Sequence, residues 1–317
     1  MGEGHLPVLA SEALALLAVV PGSSVADCTV GGGGHAERIL EATSPDGRLL
    51  GIDADAAAIL EAQRALARFG DRVVLRQANF ESLLDIAAQE RFLPLDGVLF
   101  DLGLSSYQLA DAARGFSFAS PAPPDMRFDA SQGISALELI ERSTEREIAA
   151  LIATFGEERH ARRVARAIVA ARDEGRLVSA AALADVIASA VPPPASRGPR
   201  RIHPATRSFQ ALRVAVNREL EVLTAGLAAA LAALAPGGRL AVISYHSLED
   251  RIVKRFIARE SRDCIEEPPP PVCTCGHRAQ LRAVTRRVVT PDEGEVRSNP
   301  RARSAKLRAA EKLPAPS

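Results

Sequence analysis

From Val25 to Asp101, short apolar runs alternate with stretches whose apolar residues recur at helical spacing. The runs are Val25–Val30, Arg48–Ile52, Val73–Leu75 and Gly97–Phe100. Between the second and third, Ala54–Phe69 carries Ile59, Leu60, Leu66 and Phe69, the pattern of an amphipathic helix. Such alternation predicts βαβ units in a parallel sheet. After Asp101 the pattern stops. Tyr107–Asp129 is rich in Phe, Pro and Gly and predicts a loop. Gly133 to Ala190 reads as helices only; one of them, Arg159–Ala171, lines up Val164, Ile168 and Ala171 on one face. The Pro-rich stretch Val191–Pro204 breaks this block. A long helix over Thr206–Leu234, the turn Pro236-Gly237-Gly238 and a strand over Arg239–Tyr245 then resume the βα pattern.

The expected fold is therefore α/β, a doubly wound Rossmann-like sheet interrupted between its fourth and fifth strands by an all-helical insertion of roughly a hundred residues. The expected boundaries are 1–106 for the first part of the core and 107–204 for the loop and helical insertion. Residues 205–260 form the second part of the core, and 261–317 a C-terminal segment closing it, with a cysteine cluster and a basic end.

Composition narrows the class. The 317 residues are 47% hydrophobic and 25% charged, enough to bury a full core, which excludes a disordered tail, a collagen-like rod or a disulfide mini-scaffold. The 39 basic and 39 acidic residues cancel, so no global field points to nucleic acid. Lys254, Lys306 and Lys312 are the only lysines; arginine forks suit phosphate, although GC-rich codon usage produces the same excess. Cys28, Cys264, Cys273 and Cys275 are too few and too clustered for a disulfide framework. Met1–His5 has an acid and no Lys or Arg, unlike a signal peptide. The apolar stretches Ala13–Val20 and Leu227–Ala235 fall short of the ~20 residues that span a bilayer. The expectation is a cytoplasmic protein with no membrane partner.

The first candidate chemistry is the run from Asp27 to His35, with Gly31, Gly32, Gly33 and Gly34, which follows the first strand and opens a helix. Glycines there let backbone N–H groups approach a ligand at a helix N-terminus. Asp53 ends the second strand about twenty residues on, where a carboxylate accepts ribose hydroxyls. Together they point to a nucleoside cofactor; the bland alternative is a tight turn beside a helix-capping acid. Asn79-Phe80 follows the third strand, and Asp101 ends the fourth with Leu102-Gly103 clearing space beside it. Polar groups after all four strands suit S-adenosylmethionine. The spacing of Gly31, Gly33 and Ala36 also permits a nicotinamide dinucleotide, but the helical insertion stands where a second nucleotide half would be needed.

At this point the residues resemble a family. The matching segments are His5–Leu9, Gly31–His35, Asp101–Ser106 with Gln108, Arg114–Phe118, Asp125–Arg127, Gly156–Arg159, His203–Arg207 through Phe209–Arg213, His246–Arg251 and Ser304–Arg308. In this set the chain resembles the RsmH (MraW) small-subunit rRNA cytosine-N4 methyltransferases over nearly its whole length. The resemblance implies methyl transfer from S-adenosylmethionine to the exocyclic N4 of a cytidine in the decoding region of 16S rRNA, within the small ribosomal subunit. The expected assembly is a monomer or homodimer. The resemblance carries the cofactor contacts onto Gly33, Gly34, His35, Asp53, Phe80, Asp101 and Gln108, to which the loop pattern adds Gly31, and it assigns substrate binding to the inserted domain.

A cytosine N4 amine is a poor nucleophile, because its lone pair is shared with the ring; it must be held in line with the methyl and given a hydrogen-bond acceptor. Asp101 is the expected acceptor or base, or else a ligand of the cofactor. Exocyclic-amine methyltransferases often carry Asp/Asn-Pro-Pro-aromatic here, whereas this chain reads Asp101-Leu102-Gly103-Leu104. Methylation at C5 would need a thiolate near the methyl, and no cysteine is well placed. His246 is a second catalytic candidate that could orient the base or a phosphate, or be a hydrogen-bonded structural histidine. The family usually reads Phe where this chain has Tyr245. Phe116, Phe118 and Phe128 could stack a flipped base or pin their loop.

Arg197, Arg200, Arg201 and Arg207, with His203, Asp125 and Arg127, make up the expected RNA-facing set; Arg301, Arg303, Lys306 and Arg308 are weaker phosphate candidates. Cys264, Cys273, Cys275 and His277 match no common zinc spacing, so no metal is expected. Two other functions fit parts of the pattern: a non-catalytic RNA-binding or ribosome-assembly factor, and a nicotinamide-dependent dehydrogenase.

Overall fold

The computed structural model describes residues 7–192, 203–266, 272 and 274–314. The chain forms two units, one of Met1–Gly103 with Leu220–Ser317 and one of Leu104–Glu219.

The first unit is built on seven strands: β1 (Ser24–Asp27), β2 (Arg48–Asp53), β3 (Val73–Gln77), β4 (Leu95–Asp101), β5 (Leu234–Ser244), β6 (Leu281–Ala283) and β7 (Lys306–Lys312). They lie in the order β3-β2-β1-β4-β5-β7-β6. β1 to β5 run parallel, and β7 is antiparallel to both of its neighbours. The sheet is covered on both faces, so its central strands are apolar runs without alternation: Val98, Leu99 and Phe100 are fully buried, as are Leu240 to Ile243. Helices α1 (Ala10–Leu17), α2 (Gly34–Ala42), α3 (Ala56–Leu66) and α4 (Leu83–Gln89) accompany the first four strands.

The second unit is helical, with α5 (Ser106–Ala110), α6 (Ala136–Arg142), α7 (Glu145–Gly156), α8 (Ala161–Asp173), α9 (Ala180–Ala190) and α10 (Thr206–Val216). Its own core gathers Ile140, Ile152, Val164, Ile168, Leu183, Ile187 and Leu212. The sheet unit completes itself with α11 (Glu219–Ala233), α12 (Ser247–Glu260) and α13 (Glu293–Ser298). Among the described residues no helix is long and apolar enough to cross a membrane.

Three sequence expectations are corrected. The helical unit runs 104–219, wider than the expected 107–204, because α10 buries Phe209, Ala211 and Leu212 in its core. The single helix expected over Thr206–Leu234 is two helices, broken where Arg218 takes a left-handed φ of 50°. Asn217 marks the break: its Nδ2 donates to the carbonyls of Met126 (2.7 Å) and Arg213 (2.9 Å), and its Oδ1 accepts from the Phe128 amide (2.7 Å). The stretch read as a loop from Tyr107 opens in α5.

The C-terminal segment does close the sheet, through a strand the hydrophobic pattern did not reveal. β7 inserts between β5 and β6, pairing Arg239 with Glu311 and Ser244 with Lys306. Asp250 of α12 holds it: Arg308 Nε lies 2.7 Å from one carboxylate oxygen and Lys306 Nζ 3.4 Å from the other. These two cations, and chiefly the Arg308 hydrogen bond, outweigh desolvation and keep the Asp250 pKa below the usual carboxylate range. Lys306 and Arg308 are thus partners of Asp250.

Candidate active site

Strand order brings the carboxyl ends of β1, β4 and β5 together, as in open α/β sheets generally. β1 ends on Asp27, which is 1% exposed. The chain then turns through Cys28–Gly33 into α2. Gly33 stands immediately before that helix with φ 89°, a left-handed conformation that costs glycine little and other residues more. His35, in the first turn of α2, is buried.

β4 delivers Asp101. Its amide donates to Thr29 Oγ1 (2.6 Å), which ties the strand end to the glycine turn. Its carboxylate is held from two sides: the Tyr245 hydroxyl donates to Oδ1 at 2.7 Å, and His35 Nε2 lies 3.4 Å from Oδ2. The histidine contact does not meet hydrogen-bond geometry, and it becomes an ion pair when His35 is protonated. Tyr245 directly follows β5 and is largely buried, which pushes its phenol pKa up and keeps it a proton donor; the adjacent Asp101 charge acts the same way.

Asp27 completes the cluster. Oδ1 accepts from the Thr29 amide (3.2 Å), while the buried Oδ2 has no hydrogen-bond partner. Burial lifts its pKa from 3.8 to about 7, against the pull of His35 and the Thr29 amide. Burial pulls on His35 in the opposite sense, but contact with Asp101 and the charge of Asp27 leave its pKa above 6.5. Asp27 and His35 each shift the other's titration, so the two are coupled. Cys28, beside them in sequence, is buried with its thiol pKa pushed well up, a neutral core residue instead of a nucleophile.

Asp53, at the end of β2, accepts from the amides of Gly31 (2.9 Å) and Asp55 (2.9 Å), so it braces the glycine turn. The Phe80 ring sits edge-on to Phe100 with centroids 5.2 Å apart. His246 caps α12: its Nδ1 accepts from the Glu249 amide (3.4 Å), and Nε2 lies 3.0 Å from Glu249 Oε1. That is the structural role the sequence left open.

Gln108, Asp125, Arg127, His203 and Arg207 belong to the helical unit, in which Gln108 forms a capping box with Ser105. Asp125 and Arg127 pair with each other through Nε–Oδ1 (2.8 Å) and Nη2–Oδ2 (2.7 Å), a fork that shapes their loop. Phe116 stacks on Phe128 at 6.0 Å, and Phe118 stacks on the His203 ring at 4.6 Å with Phe209 edge-on to it at 4.8 Å. These phenylalanines pack. Arg207 donates to the Glu157 carbonyl (3.2 Å), yet its side chain stays 54% exposed. Arg197, Arg200 and Arg201 lie outside the described residues. Asp27 and Tyr245 are the two members of the cluster that sequence reasoning did not single out. An acid ending the first strand was the available signal for Asp27; Tyr245 had only its departure from Phe.

The sequence model of the MraW methylase family matches residues 2–313. A ribosomal RNA small subunit methyltransferase H of Syntrophotalea carbinolica is 49% identical over 309 residues, covering 98% of each chain. Proteins of the same name from Thermomicrobium roseum (50% identical, 98% of this chain and 94% of that one) and Symbiobacterium thermophilum (49%, 99% and 98%) are similarly close. Since both the family match and these identities run through sheet, helical unit and tail alike, the chain belongs to the MraW methylase family, whose methyl donor is S-adenosylmethionine.

Proposed function

We propose that the chain methylates the exocyclic N4 of a cytidine in the decoding region of 16S ribosomal RNA, within the small ribosomal subunit. The names of the close relatives support the RNA, and the observation that carries the chemistry is the Asp101 carboxylate held between Tyr245 and His35.

The residues suit the cofactor. Asp27 Oδ2 is a buried acceptor in want of a donor, which the ammonium of S-adenosylmethionine would supply. Backbone amides of Gly31, Gly33, Gly34 and His35, the Asp53 carboxylate and the ring of Phe80 would hold the rest. When bound, S-adenosylmethionine supplies a methyl group on a positively charged sulfur. Asp101 accepts a hydrogen bond from the cytosine amine, stabilises the charge that develops on nitrogen and takes the proton the amine sheds. The Tyr245 hydroxyl fixes the orientation of that carboxylate. His246 acts through its helix cap, as a positioning residue. A neutral, buried Cys28 supports direct transfer over covalent C5 chemistry. In the helical unit, Arg207, His203 and the run Arg197, Arg200 and Arg201 are the proposed phosphate contacts, with Asp125 and Arg127 ordering the loop beside Phe128.

The test is to incubate the protein with labelled S-adenosylmethionine and small ribosomal subunits and to locate the methyl by nucleoside mass spectrometry. The expected product is N4-methylcytidine, with Asp101→Asn slowed on the order of 10²–10⁴-fold and Cys28→Ala retaining transfer. Methyl on C5, or full activity in Asp101→Asn, overturns the reading.

A further inference from the structure

Past α12 the chain makes a loop that the proposed methyl transfer does not use. It leaves the helix through Asp263, Cys264 and Glu266 and returns through Thr274, Cys275 and His277 to β6. Two hydrogen bonds close the neck: the Gln280 amide donates to the Glu260 carbonyl (2.8 Å), and the Ala279 amide to the side-chain Oδ1 of Asp263 (3.1 Å). Across that neck the Sγ atoms of Cys264 and Cys275 and a carboxylate oxygen of Glu266 all lie within 4.8 Å of one another, at half-buried positions.

We propose that Cys264, Cys275 and Glu266 bind a thiophilic divalent cation, with Zn²⁺ the ion whose chemistry fits best. Around a tetrahedral zinc, sulfur ligands at about 2.3 Å and carboxylate oxygen at about 2.0–2.2 Å stand roughly 3.5–3.8 Å apart. Cys264 Sγ and Glu266 Oε2 are already 3.9 Å apart, so the donors need to close by at most a little over an ångström. Two thiolates select against Mg²⁺ and Ca²⁺, which prefer oxygen.

Surrounding groups orient the donors as metal ligands are usually oriented. The His277 amide donates to Cys275 Sγ at 3.4 Å. Thr274 steers Glu266, its hydroxyl 3.1 Å from Oε1 and its amide 3.4 Å from Oε2. His277, which the sequence grouped with the thiols, has its Nε2 3.6 Å from Glu260 instead. The fourth thiol of the sequence, Cys273, lies outside the described residues. The linear spacing matched no zinc knuckle because the donors come from two arms of a loop. The ion would pin that loop where it feeds β6, the edge strand beside β7.

The experiment uses the full-length chain, reduced and stripped with a chelator. Zn²⁺ is titrated against a chromogenic chelator, and Co²⁺ is followed by visible absorption. The expected result is one equivalent of Zn²⁺ per chain, with Co²⁺ giving thiolate charge-transfer and tetrahedral d–d bands. Both signals vanish in Cys264→Ser and Cys275→Ser, weaken tenfold or more in Glu266→Ala and persist in Cys28→Ala. Alkylation of the unsubstituted chain provides a readout independent of the variants: Zn²⁺ should protect Cys264 and Cys275 from iodoacetamide. Absence of a bound equivalent, Co²⁺ bands that survive Cys264→Ser, or a Cys264–Cys275 disulfide that forms equally with and without Zn²⁺ overturns the proposal.

Discussion

Asp27 sits at the end of β1 with one carboxylate oxygen unpartnered, and burial raises its pKa from 3.8 to about 7. The consequence for stability has a definite sign. Between those two values the native state keeps a proton that the unfolded chain has released, so stability falls as pH rises through that window and levels off above it. His35, whose pKa is raised above 6.5, acts in the same direction from there upward, because the native state again holds the extra proton. Asp27→Asn removes the first of these contributions. Denaturant melts of the variant and the parent chain at pH 4, 5.5 and 7 should show their difference moving in favour of the variant by up to about 1.4 kcal/mol per pH unit. A difference independent of pH would mean that Asp27 is ionised throughout. At this scale much was legible in the sequence: acids at strand ends flagged Asp53 and Asp101, and the glycine turn flagged itself. The hydrogen bond from Tyr245 to Asp101 was not, because it joins residues 144 positions apart that only strand order makes neighbours.

Helices that begin with a Ser or Thr and carry Glu three residues later were readable as such. Ser135 with Glu138 and Thr144 with Glu147 form reciprocal capping boxes at the starts of α6 and α7. His246 with Glu249 builds the same device at α12 from a residue outside the usual capping set. Packing between helices leaves a fainter trace. Gly156, the last residue of α7, lets that helix approach α10: a Cβ there would stand 2.5 Å from the carbonyl oxygen of Arg207. Backbone cannot swing aside as a flexible side chain does. Gly156→Ala should therefore destabilise the helical unit by about 1–3 kcal/mol. Hydrogen exchange would report it as faster exchange of α7 and α10 amides with β1–β5 protection unchanged; unaltered α7 and α10 protection would refute the close-approach argument.

Over the whole molecule, the helical unit is one unbroken stretch of chain with its own core, whereas the sheet unit is assembled from segments on either side of it. Residues 104–219 expressed alone should therefore show helical circular dichroism and a single cooperative melt. A broad, non-cooperative melt would mean that the unit depends on the rest of the chain. What the sequence by itself determined follows from local periodicity: a parallel sheet, the place at which a helical block interrupts it, and acids arrayed along its carboxyl edge. Periodicity reports which faces of a segment are buried, and that is decided within a few residues. Only the tertiary structure decided which strand each strand pairs with. It placed β7 between β5 and β6, although Lys306–Lys312 has neither β-branched residues nor a clean alternation to announce a strand. It turned Lys306 and Arg308 toward Asp250, gathered Asp27, His35, Asp101 and Tyr245 into one cluster, and set Cys264 facing Cys275 across a loop. Each of these contacts joins positions remote in the chain. It forms because burying apolar surface and satisfying backbone hydrogen bonds over the whole sheet leaves one arrangement, which no local pattern encodes.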